Sequence, residues 1–145
     1  MIRVERVELN MIFALRAEVL RDGQPIASAA FDGDDAPGTL HLAAVHGDGV
    51  VWGCVSVMRA TMPGDPTRTR QLRGMAVAEH ERRRGVGGLM LAEVDRREPA
   101  YALWCNARRP AQRFYERHGW TTVSSPFDIA HHGPHVRMVR DAAAQ

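Results

Sequence analysis

The chain has 145 residues, 45% of them hydrophobic, enough for one core in one domain without disulfides or metals. A net charge of +2 is too small to point to nucleic acid as a partner, and all 19 basic residues are arginine, which excludes lysine nucleophiles and Schiff-base chemistry. Cys54 in "VVWGCVSV" and Cys105 in "YALWCNA" lie in apolar runs and are expected to be buried, reduced thiols. The opening "MIRVERVELNMIF" lacks the layout of a signal peptide, and no window approaches the roughly 18 apolar residues of a membrane span, so a soluble cytoplasmic protein is expected.

In chain order, "VELNMIFALRAEVLR" sets Val7, Met11, Leu15 and Leu20 near helical spacing, widened by Ile12 and Val19, and predicts a first amphipathic helix. Residues 22–39, rich in Gly, Pro and Asp, predict a loop. "LHLAAVHGDGVVWGCVSVMRA" divides at Gly-Asp-Gly into two valine-rich strands of a hairpin. "RQLRGMAVA" is a third strand. "VGGLMLAEVDRRE" is a helix with Arg96 and Arg97 in its last turn and Pro99 beyond it. "YALWCNA" is a fourth strand and "PAQRFYERHG" a short helix with Pro110 at its start and Gly119 at its end. "WTTVSSPFDI" and "HVRMVR" are closing strands around the turn "AHHGP", and the tail "DAAAQ" is expected to fray. No repeat or long linker divides the chain.

The stretch "ERRRGVGGLM", residues 81–90, falls where the third strand meets its helix. The first N–H groups of a helix lack partners and its dipole favours an anion there. Gly85, Gly87 and Gly88 would let those groups approach a phosphate without side-chain interference. Met90 excludes a GxGxxG dinucleotide loop, and the absence of lysine excludes a P-loop.

What fits is [Arg/Gln]-x-x-Gly-x-[Gly/Ala], here Arg82, Gly85 and Gly87, which resembles the pyrophosphate loop of the GNAT acyltransferases. The preceding "LRGMAVA" is similar to the family strand that delivers the loop. "ARRPAQRFYERHGW" resembles the family segment A-x-x-F-Y-x-x-x-G-[F/W] at Ala111, Phe114, Tyr115, Gly119 and Trp120. The resemblance runs from residue 40 to about residue 140, and "GQP", "FDGDD" and "GPHVRM" look like the ElaA-like branch of the family. It implies an α/β (α+β) fold, a single GNAT domain over residues 1–145 with a mixed, mostly antiparallel twisted sheet of about six to seven strands flanked by helices.

The same resemblance implies an N-acetyltransferase that moves an acetyl group from acetyl-CoA to a primary amine by direct attack. Met75, Ala76 and Val77 would bond the pantetheine arm through their backbone. The diphosphate would fall on the N–H groups of Arg83, Arg84, Gly85, Val86, Gly87 and Gly88, with Arg82 bracing the loop and Arg83 or Arg84 at the 3′-phosphate. Tyr115 matches the family tyrosine that lies near the sulfur, and a phenol with a pKa near about 10 is protonated at neutral pH and can act as the acid. The family asparagine position is Arg108 here, which leaves Asn106 as the nearest cofactor-binding candidate.

Where some relatives carry a glutamate base, this chain has Gln71, which cannot usefully accept a proton. The base is then a water chain, is unnecessary for an amine that arrives neutral, or is one of Asp32, Asp34 and Asp35 in "FDGDD", His41, or His135 in the closing turn, which titrates in a suitable range. Asp32, Asp34, Asp35, His41 and Gln71 are also the substrate-binding candidates. The acidic loop could also attract a cationic amine. "FDGDD" does not continue as a calcium loop, and His131, His132 and His135 lack a zinc pattern, so no metal is expected. The alternative is a non-catalytic CoA-binding or ligand-sensing domain. No membrane or nucleic-acid partner is expected, and the closing strands could pair in a homodimer.

Overall fold

The computed structural model describes residues 1–21 and 24–143. The fold is α/β, with eight strands in a mostly antiparallel sheet and three α-helices. The chain divides into two compact units, Met1–Arg59 with Leu72–Glu98 and Ala60–Gln71 with Pro99–Gln145.

In the first unit the order along the sheet is β1 (Ile2–Arg6), β2 (Leu40–His46), β3 (Val51–Arg59) and β4 (Arg70–Val77, from Leu72 onward). β1 was not expected from the sequence. "IRVER" is short and three of its five residues are charged, yet it pairs antiparallel with β2 from Ile2↔His46 to Arg6↔Leu42. β2 and β3 form the expected hairpin, with a register shift at Ala44/Val45. β2 is buried at six consecutive residues, the mark of a strand covered on both faces.

The first helix, α1 (Phe13–Leu20), starts later than the spacing suggests and follows a 3-10 turn at Leu9–Met11. Its buried face is phased on Ile12, Leu15 and Arg16, and the expected face residue Met11 is 46% exposed. Ile12, Leu15, Ala43, Val45, Cys54 and Ala76 form a core cluster. The expected loop at 22–39 contains a 3-10 turn at Ile26–Ala29; Asp22 and Gly23 lie outside the described residues. α2 (Val86–Arg97) buries Val86, Met90, Leu91 and Val94. It comes so close to β3 that a Cβ on Gly53 would lie 2.7 Å from Met90 Cε and 3.0 Å from Val86 Cγ1.

In the second unit the start of β4 runs parallel to β5 (Leu103–Arg108), with Arg70↔Leu103 and Gln71↔Trp104. β5 is antiparallel to β8 (Gly133–Arg140), from Leu103↔Arg140 to Arg108↔His135. The expected strand in "WTTVSSPFDI" is two short ones on β8, β6 (Thr121–Thr122) and β7 (Phe127–Ile129). Pro126, with no N–H to give a ladder, lies in the break, where the Arg137 N–H is taken by Ser124 Oγ at 2.8 Å. α3 (Gln112–Arg117) follows a 3-10 turn at Arg109–Ala111 that contains Pro110, and Gly119 leaves it at φ +90°. Trp104 sends its indole N–H to the Ala60 carbonyl at 2.7 Å. In the tail, Ala144 and Gln145 lie outside the described residues. Among the described residues no helix is long and apolar enough to cross a membrane.

Candidate active site

On β4, Ala76 is buried and Met75 and Val77 are partly exposed, so the strand alternates as it enters the loop. One residue earlier Gly74 takes φ +67°, which interrupts the regular extended strand. Beyond Val77 the chain makes a 3-10 turn at Glu79–Glu81, anchored by the Ala78 N–H on the Trp52 carbonyl at 2.8 Å.

Arg82 turns back and donates from Nε to the Val77 carbonyl at 3.2 Å, tying the end of the strand to the loop. Arg83 follows at φ +67°, and Gly85, at φ +78°, is the N-cap of α2. No side chain caps this helix, so its first N–H groups, from Val86, Gly87 and Gly88, remain available at the positive end of its dipole. The Val86 side chain is buried in the core, which leaves only its backbone on the loop side. Arg82, Arg83 and Arg84 are exposed, and Arg84 pairs with Glu81 at 3.4 Å and lies over the Trp52 ring at 5.6 Å. The loop therefore offers uncapped amides under a rim of arginine charge.

The acidic loop and His41 are built around an arginine that the sequence reading missed. Arg16 is wholly buried, and its Nη1 donates to Asp34 Oδ2 at 2.8 Å, Asp34 Oδ1 at 3.0 Å and the Ala29 carbonyl at 3.1 Å. Its Nη2 donates to Ser56 Oγ at 2.9 Å. His41 Nε2 lies 3.0 Å from the Asp34 carbonyl, which can only accept, so that nitrogen carries a proton and Nδ1 faces Ser56 Oγ at 2.6 Å. Asp34 and His41 are thus engaged inside the protein, and Asp32 and Asp35 are the exposed acids of the loop. The signal for Arg16 was legible: it stands four residues after Ile12, on the buried face of the helix.

Phe31, also missed, has its ring centroid 4.0 Å from Arg16 Cζ and 4.2 Å from Arg73 Cζ. Arg73, on β4, is held below the usual arginine range by burial, with repulsion from Arg16 adding to the effect.

In the second unit Tyr115 is 5% exposed, with its ring edge-on to Phe114 and Trp120. Burial raises its phenol well above the ordinary value, and the nearby Cys105 adds to this. The Tyr115 phenol is therefore not the ordinary one that the sequence suggests and stays protonated further into the alkaline range. Its hydroxyl forms no hydrogen bond with another described residue. Asn106 on β5 accepts from Arg137 Nε at 3.2 Å across the ladder. Gln71 is buried at the start of β4, opposite Trp104.

His135 is not in a surface turn, as expected, but 5% exposed within β8, because the ladder to β5 extends to Arg108↔His135. Its Nδ1–H donates to the Gly133 carbonyl at 2.8 Å, which leaves Nε2 for other contacts. The thiols of Cys54 and Cys105 are both buried, and burial pushes Cys54 up to about 12 and Cys105 higher still. Among the described residues, no group of three or more His, Cys, Asp or Glu could hold a metal ion.

Residues 19–122 match the family model described as the acetyltransferase (GNAT) domain. A Bacillus subtilis protein named as the uncharacterized N-acetyltransferase YitI is 28% identical over 97% of this chain and 96% of its own. Among solved structures, one described as histone acetyltransferase HPA2 and related acetyltransferase, from Corynebacterium glutamicum, superposes with a TM-score of 0.77 at 17% identity, over 99% of this chain and 98% of that one. Escherichia coli ElaA superposes with a TM-score of 0.69 at 19% identity, over 97% and 100% of the two chains. With the uncapped glycine loop after β4 and a family match over most of its length, the chain belongs to the GNAT family of acetyl-CoA-dependent acyltransferases.

Proposed function

We propose that the protein is a cytoplasmic N-acetyltransferase, one domain over residues 1–145, that transfers the acetyl group of acetyl-CoA to a primary amine by direct attack within a ternary complex. The observation that carries the reading is the start of α2, where left-handed Gly85, then Gly87 and Gly88, present uncapped amides directly after β4. Those amides would hold the diphosphate, and the backbone of Met75, Ala76 and Val77 would align the pantetheine arm. Arg83, the neighbour of the bracing Arg82, would face the 3′-phosphate. In the reaction the amine nitrogen bonds to the acyl carbon, the carbon–sulfur bond breaks, and the departing thiolate takes a proton from the Tyr115 hydroxyl. The proton lost by the attacking nitrogen restores the phenol through water.

A cysteine-linked acyl intermediate is disfavoured by the raised, buried thiols. With Asp34 and His41 held in internal bonds, Asp32, Asp35 and His135 Nε2 remain as candidate proton acceptors. The internal engagement of His41 and Asp34, together with Gln71 at the start of β4, also favours a second reading, a domain that binds CoA without acylating anything.

Thermal stabilisation by CoA, followed by thiol release from acetyl-CoA across a panel of amines, separates the two. Stabilisation without thiol release for any amine selects the second reading. For the enzyme, Tyr115→Phe should lower kcat about a hundredfold with little change in the KM for acetyl-CoA. Full turnover by that variant at every pH would remove the acid role of Tyr115.

A further inference from the structure

Arg16 and Arg73 both lie against Phe31, but their charges are treated differently. Arg16 is answered by Asp34 at 2.8 Å. The Arg73 guanidinium makes no hydrogen bond or ion pair with any described residue, and it lies over the Phe31 ring at 4.2 Å. Asp34 and Asp32 are near enough to favour its charge, yet neither bonds it, and Arg16 opposes it. A partly buried guanidinium without an acceptor is unfavourable in the free protein.

Arg73 Cζ lies 4.2 Å from the Phe31 ring centroid, and a guanidinium carries paired donors that match the oxygens of a carboxylate or phosphate. A second donor nearby also lacks a partner. Arg16 Nε is buried and unbonded, 3.1 Å from the point that a Cβ on Gly74, the residue after Arg73, would occupy. Within the acidic loop Arg16 answers Asp34 alone, and Arg73 lies beside the loop without an acidic group bonded to it. An amine that also bears an anionic group would supply the acceptor that the Arg73 guanidinium lacks.

We propose that Arg73 is a specificity-determining residue of this site, whose guanidinium, lying over the Phe31 ring, binds the carboxylate or phosphate of an amine acceptor that carries one. The inference rests on the acetyltransferase reading for what the site does, but its binding test does not depend on turnover. Arg73 stands two residues before Met75 on β4, so in that reading it is close along the chain to the backbone that aligns the acyl donor.

The test uses matched pairs of amines with and without the anion: leucine with 3-methylbutylamine, 4-aminobutyrate with propylamine, and O-phosphoethanolamine with ethylamine. Calorimetric binding is measured on the full chain saturated with CoA, and thiol release is measured in parallel with acetyl-CoA. The wild type should bind the anionic member of at least one pair about tenfold or more tightly than its partner, as expected for one charge-assisted bidentate contact. Arg73→Leu should bring that preference to near parity without weakening the neutral amine, and Arg73→Lys should restore part of it. The CoA-induced thermal shift of each variant checks that it is folded.

The three pairs distinguish an α-carboxylate, a distal carboxylate and a phosphate. No preference in the wild type, no binding of any probe, or equal weakening of both members by Arg73→Leu overturns the inference. Thiol release without an anionic preference overturns it and leaves the acetyltransferase reading standing. An Arg73-dependent binding preference without thiol release supports it and overturns that reading instead.

Discussion

Arg16 lies on α1 where the helical phase reserves a place for an apolar side chain, and its burial is supported by acceptors from Ala29, Asp34 and Ser56. Asp34 supplies both carboxylate oxygens, and Oδ2 also accepts the Phe31 N–H at 2.8 Å. A buried pair of this kind contributes little compared with an apolar pair, but removing one partner leaves the other charge stranded. Asp34→Asn should therefore lower stability by about 3–5 kcal/mol, read as a shift in the urea midpoint. Asp35→Asn, at an exposed position of the same loop, should stay within about 0.5 kcal/mol of the parent. Equal effects from the two would mean that Asp34 is no more than another solvated acid. The Asp34 carboxylate holds the loop against Arg16 of α1.

α2 must meet two demands at once, an open N-terminus toward the loop and a close approach to β3. Gly85 serves the first and Gly53 the second. Gly53→Ala would set a methyl against Met90 Cε, which can swing away, and Val86 Cγ1, which cannot without moving the helix start. The expected result is a loss of about 1–3 kcal/mol in urea unfolding, accompanied by weaker CoA binding because Val86 begins the turn that carries the free amides. Unchanged CoA affinity despite the lost stability would separate the packing of the helix from the loop it presents. The boundaries of α2 were legible because they are locally encoded, with glycine at the start, arginine in the last turn and Pro99 beyond. β1 was not, since "IRVER" becomes a strand only by pairing with β2 some forty residues away, between Ile2 and His46 at one end. The split between β6 and β7 was foreshadowed by Pro126, but the bond from the Arg137 N–H to Ser124 depends on β8. The same distinction holds for the candidate residues: the glycine loop and the Tyr115 segment are each contiguous motifs, whereas the Arg16 to Ser56 bond joins residues 40 apart and has no sequence pattern.

At the scale of the molecule, each compact unit buries a group that ionises only in alkali: Cys54 in the first, Cys105 and Tyr115 in the second. The Cys54 thiol donates to the Gly74 carbonyl at 3.5 Å, a bond that a thiolate could not make. Its pKa is raised by burial from an ordinary 9.0 to about 12, and Tyr115 is raised for the same reason. For a group raised in the folded state, the contribution to stability is fully present below the unfolded pKa and is lost as pH climbs toward the folded one. The unfolded chain releases its proton first, so each such group makes unfolding easier with rising pH by up to about 1.4 kcal/mol per pH unit. For Cys54 that window runs from about pH 9 to about pH 12. For Tyr115 it opens near pH 10, where an exposed phenol begins to ionise. Urea unfolding at a series of pH values from 8 to 11 should show stability falling through this range, with one proton's worth of slope missing in Cys54→Ala and a smaller loss confined to the upper end in Tyr115→Phe. Slopes identical to the parent in both variants would show that these groups ionise as freely in the folded chain as in water, contrary to their burial. A fall in acetyl transfer above pH 9 must then be corrected for the unfolded fraction before any of it is assigned to the proton on Tyr115.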